Sequence, residues 1–255
     1  MTAALRLAFG TLTAIPVRPP GRVDPVTARR AMLLAPLTVL PLVPVWALAH
    51  LVTRHDAGLA LLASLVVIAA TALYSRGLHL DGLADTADGL AASHDRDRAL
   101  AVMRTGDVGP NGAATLVLTL LIQAVALGSL LGSAAGTTLA VVALVASRHT
   151  LALGCWSRVP AARATGLGAT MAGTVTTGAL TAAAGLVAAL AAGLAQVGGS
   201  RWYVGPVVVI AAMLGGALML RTAVRRLGGM TGDVLGAGVE ISLAGCLLVA
   251  ALVTS

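Results

Sequence analysis

Charge is scarce in this 255-residue chain: only 11% of its residues are Asp, Glu, Lys or Arg, while 58% are apolar. Soluble domains carry about a quarter charged residues and about half apolar ones. A water-exposed globule is therefore excluded, and a polytopic membrane protein is indicated. Lysine is absent altogether; all 17 basic residues are arginine, and the net charge is +7. Nucleic-acid binding would need a basic face on a soluble module or a recognisable motif. Neither is present, so nucleic acid is excluded as a partner. The only two cysteines, Cys155 and Cys246, lie in or beside apolar runs. They show no CxxC or metal-ligand spacing and read as inert packing residues. A cleavable leader would confine its apolar run to the start, whereas here such runs recur to the C-terminus. No linker separates a second domain, so residues 1–255 form one unit.

A membrane helix needs roughly 20 mostly apolar residues. Seven segments qualify, at about 31–52, 57–75, 113–132, 137–154, 177–197, 203–221 and 236–253. The stretch 3–15 is too short to cross and reads as a re-entrant or interfacial helix. Gly, Ala, Ser and Thr run through the segments and let helix backbones approach closely. The expected fold is all-α, a multi-pass helical bundle in membrane lipid, with oligomerisation open. With the N-terminal arm in the cytoplasm, that side collects Arg18, Arg22, Arg29, Arg30, Arg76, Arg96, Arg98, Arg104, Arg158, Arg163, Arg221, Arg225 and Arg226. The other keeps Arg54 and Arg201. This is the positive-inside pattern of a cell-membrane protein. All the acids except Asp56 fall on the cytoplasmic side, which is where chemistry is expected.

Against that scarcity of charge, the segment "LHLDGLADTADGL" at 78–90 holds three aspartates. On a helix over 80–91, Asp81, Asp85 and Asp88 stand at i, i+4 and i+7 and form one stripe. Leu83, Ala84, Ala87 and Leu90 are left to face the bundle. Like charges so placed repel unless a cation lies between them. Hard oxygen ligands suit Mg²⁺ or Mn²⁺, which complete their shells with water and substrate phosphate, so phosphoryl chemistry is expected; a solvated acidic face is the plain alternative.

A second acidic pair, Asp233 and Glu240, lies seven residues apart in "GGMTGDVLGAGVE". Gly236 and Ala237 between them leave room for a ligand, and the pair offers further metal ligation or a general base. Asp233 can equally cap the last helix, whereas Glu240, inside an apolar run, reads as functional. Arg98 and Arg104 can fork onto phosphate oxygens. The turn Gly109-Pro110-Asn111-Gly112 can offer N–H groups to an anion, with Asn111 a further polar candidate. Arg148, within a span, either binds phosphate or pairs with a bundle acid. His79 points away from Asp81 and is not expected to ligate metal.

"GLHLDGLADTADG" and "GGMTGDVLGAGVE" closely resemble the signatures of the cobalamin synthase family of adenosylcobinamide-GDP ribazoletransferases. "TAIPV" at 13–17, Arg30, Pro36 and "DRALAVMR" fit its other elements in order. Two departures stand out: Thr11 replaces a usual aromatic. Thr105 stands where the family has an Asp, with Asp107 two residues on. The resemblance implies a membrane transferase that needs Mg²⁺, joins α-ribazole or its 5′-phosphate to adenosylcobinamide-GDP and releases GMP. On that reading Asp81, Asp85 and Asp88 hold the metal, Asp233 and Glu240 add a second metal position or a general base, and which carboxylate takes the proton stays open. Arg98, Arg104, Arg148, Asn111 and Asp107 contact substrate. CDP-alcohol phosphotransferases also place aspartates on membrane helices, but want Ala-Arg after Asp-Gly where this chain has Asp85 after "DGLA". A transporter would use acids near the midplane and repeated halves, neither of which is evident.

Overall fold

In the computed structural model, which describes residues 1–254, the helices start and stop where local chemistry requires. Thr2 opens α1 (Ala3–Leu12), its hydroxyl accepting the Leu5 N–H at 3.3 Å. Ten residues make a helix of about 15 Å, half a hydrocarbon core of about 30 Å. Asp24 caps α2 (Pro25–Leu33), accepting the Thr27 N–H at 2.7 Å, with Pro25 pre-set for the first turn. The next apolar stretch begins as a 3₁₀ segment over Ala35–Leu42, where Pro36 and Pro41 lack N–H donors, and continues as α3 (Val43–His55). There follow α4 (Ala60–Tyr74), α5 (Leu78–Ala92), α6 (Arg96–Val102), α7 (Pro110–Leu131), α8 (Ala134–Gly154), α9 (Leu167–Met171), α10 (Thr177–Val197), α11 (Val204–Leu227) and α12 (Gly232–Thr254).

Among the described residues, seven segments are long and apolar enough to cross a membrane: Ala35–His55, Ala57–Tyr74, α7, α8, α10, α11 and α12. They match the seven expected spans, with two informative shifts. α11 runs on to Leu227 and carries Arg225 and Arg226 in its last turn, where cations meet the negative end of the helix. α12 starts at Gly232, which puts Asp233 in its first turn, where an anion is favoured.

α8 and α12 form the centre, buried nearly all round, with α12 in contact with α5, α7, α8 and α11. Both cysteines are free and buried there. α4 and α10 lie outside and expose leucines such as Leu61, Leu62, Leu186 and Leu190, as lipid-facing helices do.

The break between α4 and α5 sets up the site. Arg76 (φ +57°) and Gly77 (φ +70°) are both left-handed, and the Gly77 N–H closes onto the Ala72 carbonyl at 2.8 Å. Such a backbone is unusual for arginine. Its guanidinium holds it there by donating to the carbonyls of Gly10 and Thr11, each at 3.2 Å. α5 then leaves α4 and packs between α12 and α7. Its closest approach to α12 needs glycine: a Cβ on Gly82 would lie 2.6 Å from the Asp233 carbonyl oxygen, and one on Gly236 would lie 3.1 Å from the His79 Cα. Gly236 and Ala237 are thus filled by a neighbouring helix, correcting the expectation that they leave space for a ligand.

Candidate active site

The three aspartates of α5 share one helix but not one environment: Asp81 is exposed, Asp85 half-buried and Asp88 buried. Asp88 Oδ2 accepts the Gly109 N–H at 2.7 Å and Oδ1 accepts the Gly112 N–H at 2.8 Å. α7 starts at Pro110 after Gly109, which has no side chain to serve as its cap. The Asp88 carboxylate supplies that cap from another helix. A Cβ on Gly109 would come within 2.6 Å of Asp88 Oδ1, so glycine there lets the carboxylate in. The Gly-Pro-Asn-Gly turn does present N–H groups to an anion, and that anion is Asp88.

At the start of α12, Thr231 does the capping: its hydroxyl accepts the Val234 N–H at 3.2 Å and donates to Asp233 Oδ2 at 3.2 Å. Asp233 is thereby released to face α5, where its carboxylate meets Arg163 at 3.4 Å. Asp85 lies within the fields of Asp81, Asp233 and Asp88. Burial first, then the repulsion of those three, pushes its carboxyl up to about 6, with Arg163 opposing and no hydrogen bond to offset the rise. An open groove of about 570 Å³, lined by Arg76, Leu80, Asp81, Ala84, Val108 and Leu116, leads to Asp81.

Glu240 is elsewhere. Seven residues carry it about 10 Å along α12 from Asp233, and it is 5% exposed. Its Oε2 accepts the Gln123 Nε2–H at 2.8 Å, and its Oε1 lies 3.9 Å from His79 Nδ1. That second contact is not an ion pair, because burial and the nearby Arg148 charge hold His79 well below its usual pKa. Arg148, 2% exposed, donates to Ser147 Oγ at 2.8 Å and faces Glu240 electrostatically. Arg148 and Glu240 therefore belong to a sealed cluster, apart from the aspartates.

Among the described residues, the exposed candidates Arg98, Asn111 and Asp107 make no side-chain hydrogen bond or ion pair with Asp81, Asp85, Asp88 or Asp233. Arg104, also exposed, sits near enough to Arg163 for the two to repel. Arg163, counted in the sequence only as a topological charge, is the cation that meets the acids, and no local motif marks it. The signal is long-range: Ala162 N–H donates to the Met230 carbonyl and Met230 N–H to the Pro160 carbonyl, both at 2.9 Å, stitching the Arg163 segment to the loop before α12.

Among the described residues, no three His, Cys, Asp or Glu side chains converge on one coordinating point. The donor set is therefore no closed protein cage. Asp81, Asp85 and Asp233 gather with Arg163 as the single opposing charge, and the surplus negative charge fits a hard cation that keeps its waters and shares its shell with a phosphate.

Seven helices long and apolar enough to cross a membrane, with acids gathered at one end of the bundle, define a multi-pass membrane protein. The chain belongs to the family described as cobalamin-5-phosphate synthase, whose model matches residues 4–251. It is 47% identical over 248 residues to an adenosylcobinamide-GDP ribazoletransferase of Nocardioides sp., covering 97% of this chain and 98% of the relative. The namesake of Frankia casuarinae is 39% identical over 265 residues, covering 99% and 95%. That of Pseudomonas fluorescens is 36% identical over 262 residues, covering 96% and 98%. No solved structure matches the chain.

Proposed function

We propose that this chain is an adenosylcobinamide-GDP ribazoletransferase, joining α-ribazole or its 5′-phosphate to adenosylcobinamide-GDP with release of GMP. The observation that carries the reading is the convergence of Asp81, Asp85 and Asp233 from α5 and α12 on one open end of the bundle. Transfer of a phosphoryl group is mainly a matter of positioning and charge stabilisation. Asp81 and Asp233 would hold Mg²⁺, or Mn²⁺ in its place, which when bound neutralises the diphosphate. Asp85, with a proton affinity raised toward neutrality, is assigned as the base that takes the proton of the attacking ribose hydroxyl. Asp88 fixes α5 to α7, so that the other two carboxylates of the stripe are held at a set height. The acid end faces the cytoplasm of a cell-membrane protein on the arginine count, and the apolar outer faces of α4 and α10 meet lipid.

The test uses the purified protein in lipid nanodiscs with adenosylcobinamide-GDP and α-ribazole, with and without Mg²⁺. Cobalamin and GMP are expected in equal amounts and only with the cation. GMP without a corrinoid product, or neither, would overturn the reading, and comparison with α-ribazole 5′-phosphate identifies the preferred acceptor.

A further inference from the structure

The sequence offered Arg98, Arg104 and Arg148 for phosphate binding, yet only Arg163 brings its charge to the carboxylates. We infer that Arg163 receives the phosphate of the leaving nucleotide, exchanging Asp233 for that phosphate when the donor is bound. Four observations support this. Backbone bonds to Met230 fix the segment that carries it, so the guanidinium is placed by the fold. One arm is anchored on the Leu100 carbonyl at 3.0 Å, while the contact to Asp233 at 3.4 Å is single and loose. The buried Nε–H has no acceptor, an unmet donor that a phosphate oxygen would satisfy. Beside it opens a pocket of about 140 Å³ lined by Gly166, Gly168, Thr231, Gly232 and Asp233, where small side chains leave room for a phosphate group once Asp233 gives way.

The inference rests on the activity proposed above and names the part of the reaction that Arg163 serves. In that reaction a bond forms between the ribose 3′-oxygen and the cobinamide-side phosphorus. The bond from that phosphorus to the bridging oxygen breaks, the electron pair stays on the GMP phosphate, and the hydroxyl proton goes to Asp85. Negative charge therefore grows on the leaving phosphate, and a guanidinium at that point stabilises the transition state more than the ground state. The acceptor reacts through a neutral hydroxyl and makes no such demand. Of the side chains gathered there, Asp81, Asp85 and Asp233 repel an anion and only Arg163 attracts one, so within the protein's own groups Arg163 decides where a phosphate can sit.

Binding of GMP and of guanosine to nanodisc-embedded protein, measured by calorimetry alongside turnover, tests this for wild type, Arg163→Ala, Arg163→Lys and Arg54→Ala. Wild type should prefer GMP over guanosine. Arg163→Ala should lose that preference by tenfold or more, with turnover down about a hundredfold, the scale for one charge-stabilising donor, and the KM for α-ribazole unchanged. Arg163→Lys should recover part of both, and Arg54→Ala, at the far end of the bundle, should resemble wild type. Wild-type GMP preference in a folded Arg163 variant would overturn the inference, even if turnover fell; should Arg163→Ala not fold, Arg163→Lys decides, since a point charge cannot reproduce the forked contact. Binding is read without catalysis, so failure of wild type to form product would sink the proposed activity while leaving this result to stand or fall separately.

Discussion

Asp233 and Glu240 are acids on the same helix, seven residues apart, and the bundle gives them opposite lives. Asp233 sits at the mouth among two other carboxylates and one arginine, where charge is left over for a ligand. Glu240 is locked in by Gln123, with Arg148 as counter-charge and a neutral His79 alongside. The mouth is under-compensated and open; the interior is compensated and closed. In a membrane interior an acid without such partners is costly, so the deep cluster reads as a strut joining α5, α7, α8 and α12. The comparison teaches that residue type identifies where charge is tolerated, while surplus charge identifies where a charged ligand would be welcome.

The sharpest way to break the comparison is to exchange the two kinds of damage. Asp81→Asn and Asp85→Asn should each cut turnover by about a thousandfold, given that cation and charge-stabilising interactions are worth several kcal/mol, while leaving the yield of folded protein unchanged. Glu240→Ala should instead destabilise the fold by about 3–5 kcal/mol by stranding Arg148, read as easier unfolding in detergent titrations. Glu240→Gln, which still accepts from Gln123, should lose less. A stable but inactive Glu240→Ala would move Glu240 into the chemistry.

Smaller in effect, Asp88→Asn should cost about 1–3 kcal/mol, because its amide cannot accept both the Gly109 and Gly112 N–H groups. Added Mg²⁺ should not restore stability. Rescue by the cation would make Asp88 a ligand first and a cap second.

The pH profile sharpens the mouth itself. Asp85, raised to about 6 by burial and then by its acidic neighbours, is protonated below that value, so the rate should rise as pH climbs through about 6. Asp81→Asn removes the largest of the repulsions and should shift the residual activity's limb to lower pH; a limb that stays put would place the titrating group elsewhere. Least of all should follow from Asp107→Asn, an exposed residue whose loss is expected to leave stability within about 0.5 kcal/mol and turnover unaltered. A strong loss would show that it replaces the carboxylate missing at Thr105.

How much was legible in advance divides along the same line. The i, i+4, i+7 pattern correctly put three aspartates on one helix, but helical spacing knows nothing of what faces the helix. Asp88 met the start of α7 and became a cap, and the Gly109–Gly112 turn spent its N–H groups on it. Spacing likewise paired Asp233 with Glu240, although two turns of helix separate a surface site from a sealed one. Arg163 was invisible as a site residue because its placement depends on backbone pairing with Met230, some 67 residues on.

By itself the sequence determined the all-helical fold, the seven crossings and the acid-rich end, because hydrophobic length and arginine bias are properties of the chain read one segment at a time. The tertiary structure alone decided which charges are spent and which are free. Pairing, burial and capping depend on what a distant segment brings within about 3 to 4 Å, and that distance is set only when α5, α7 and α12 pack.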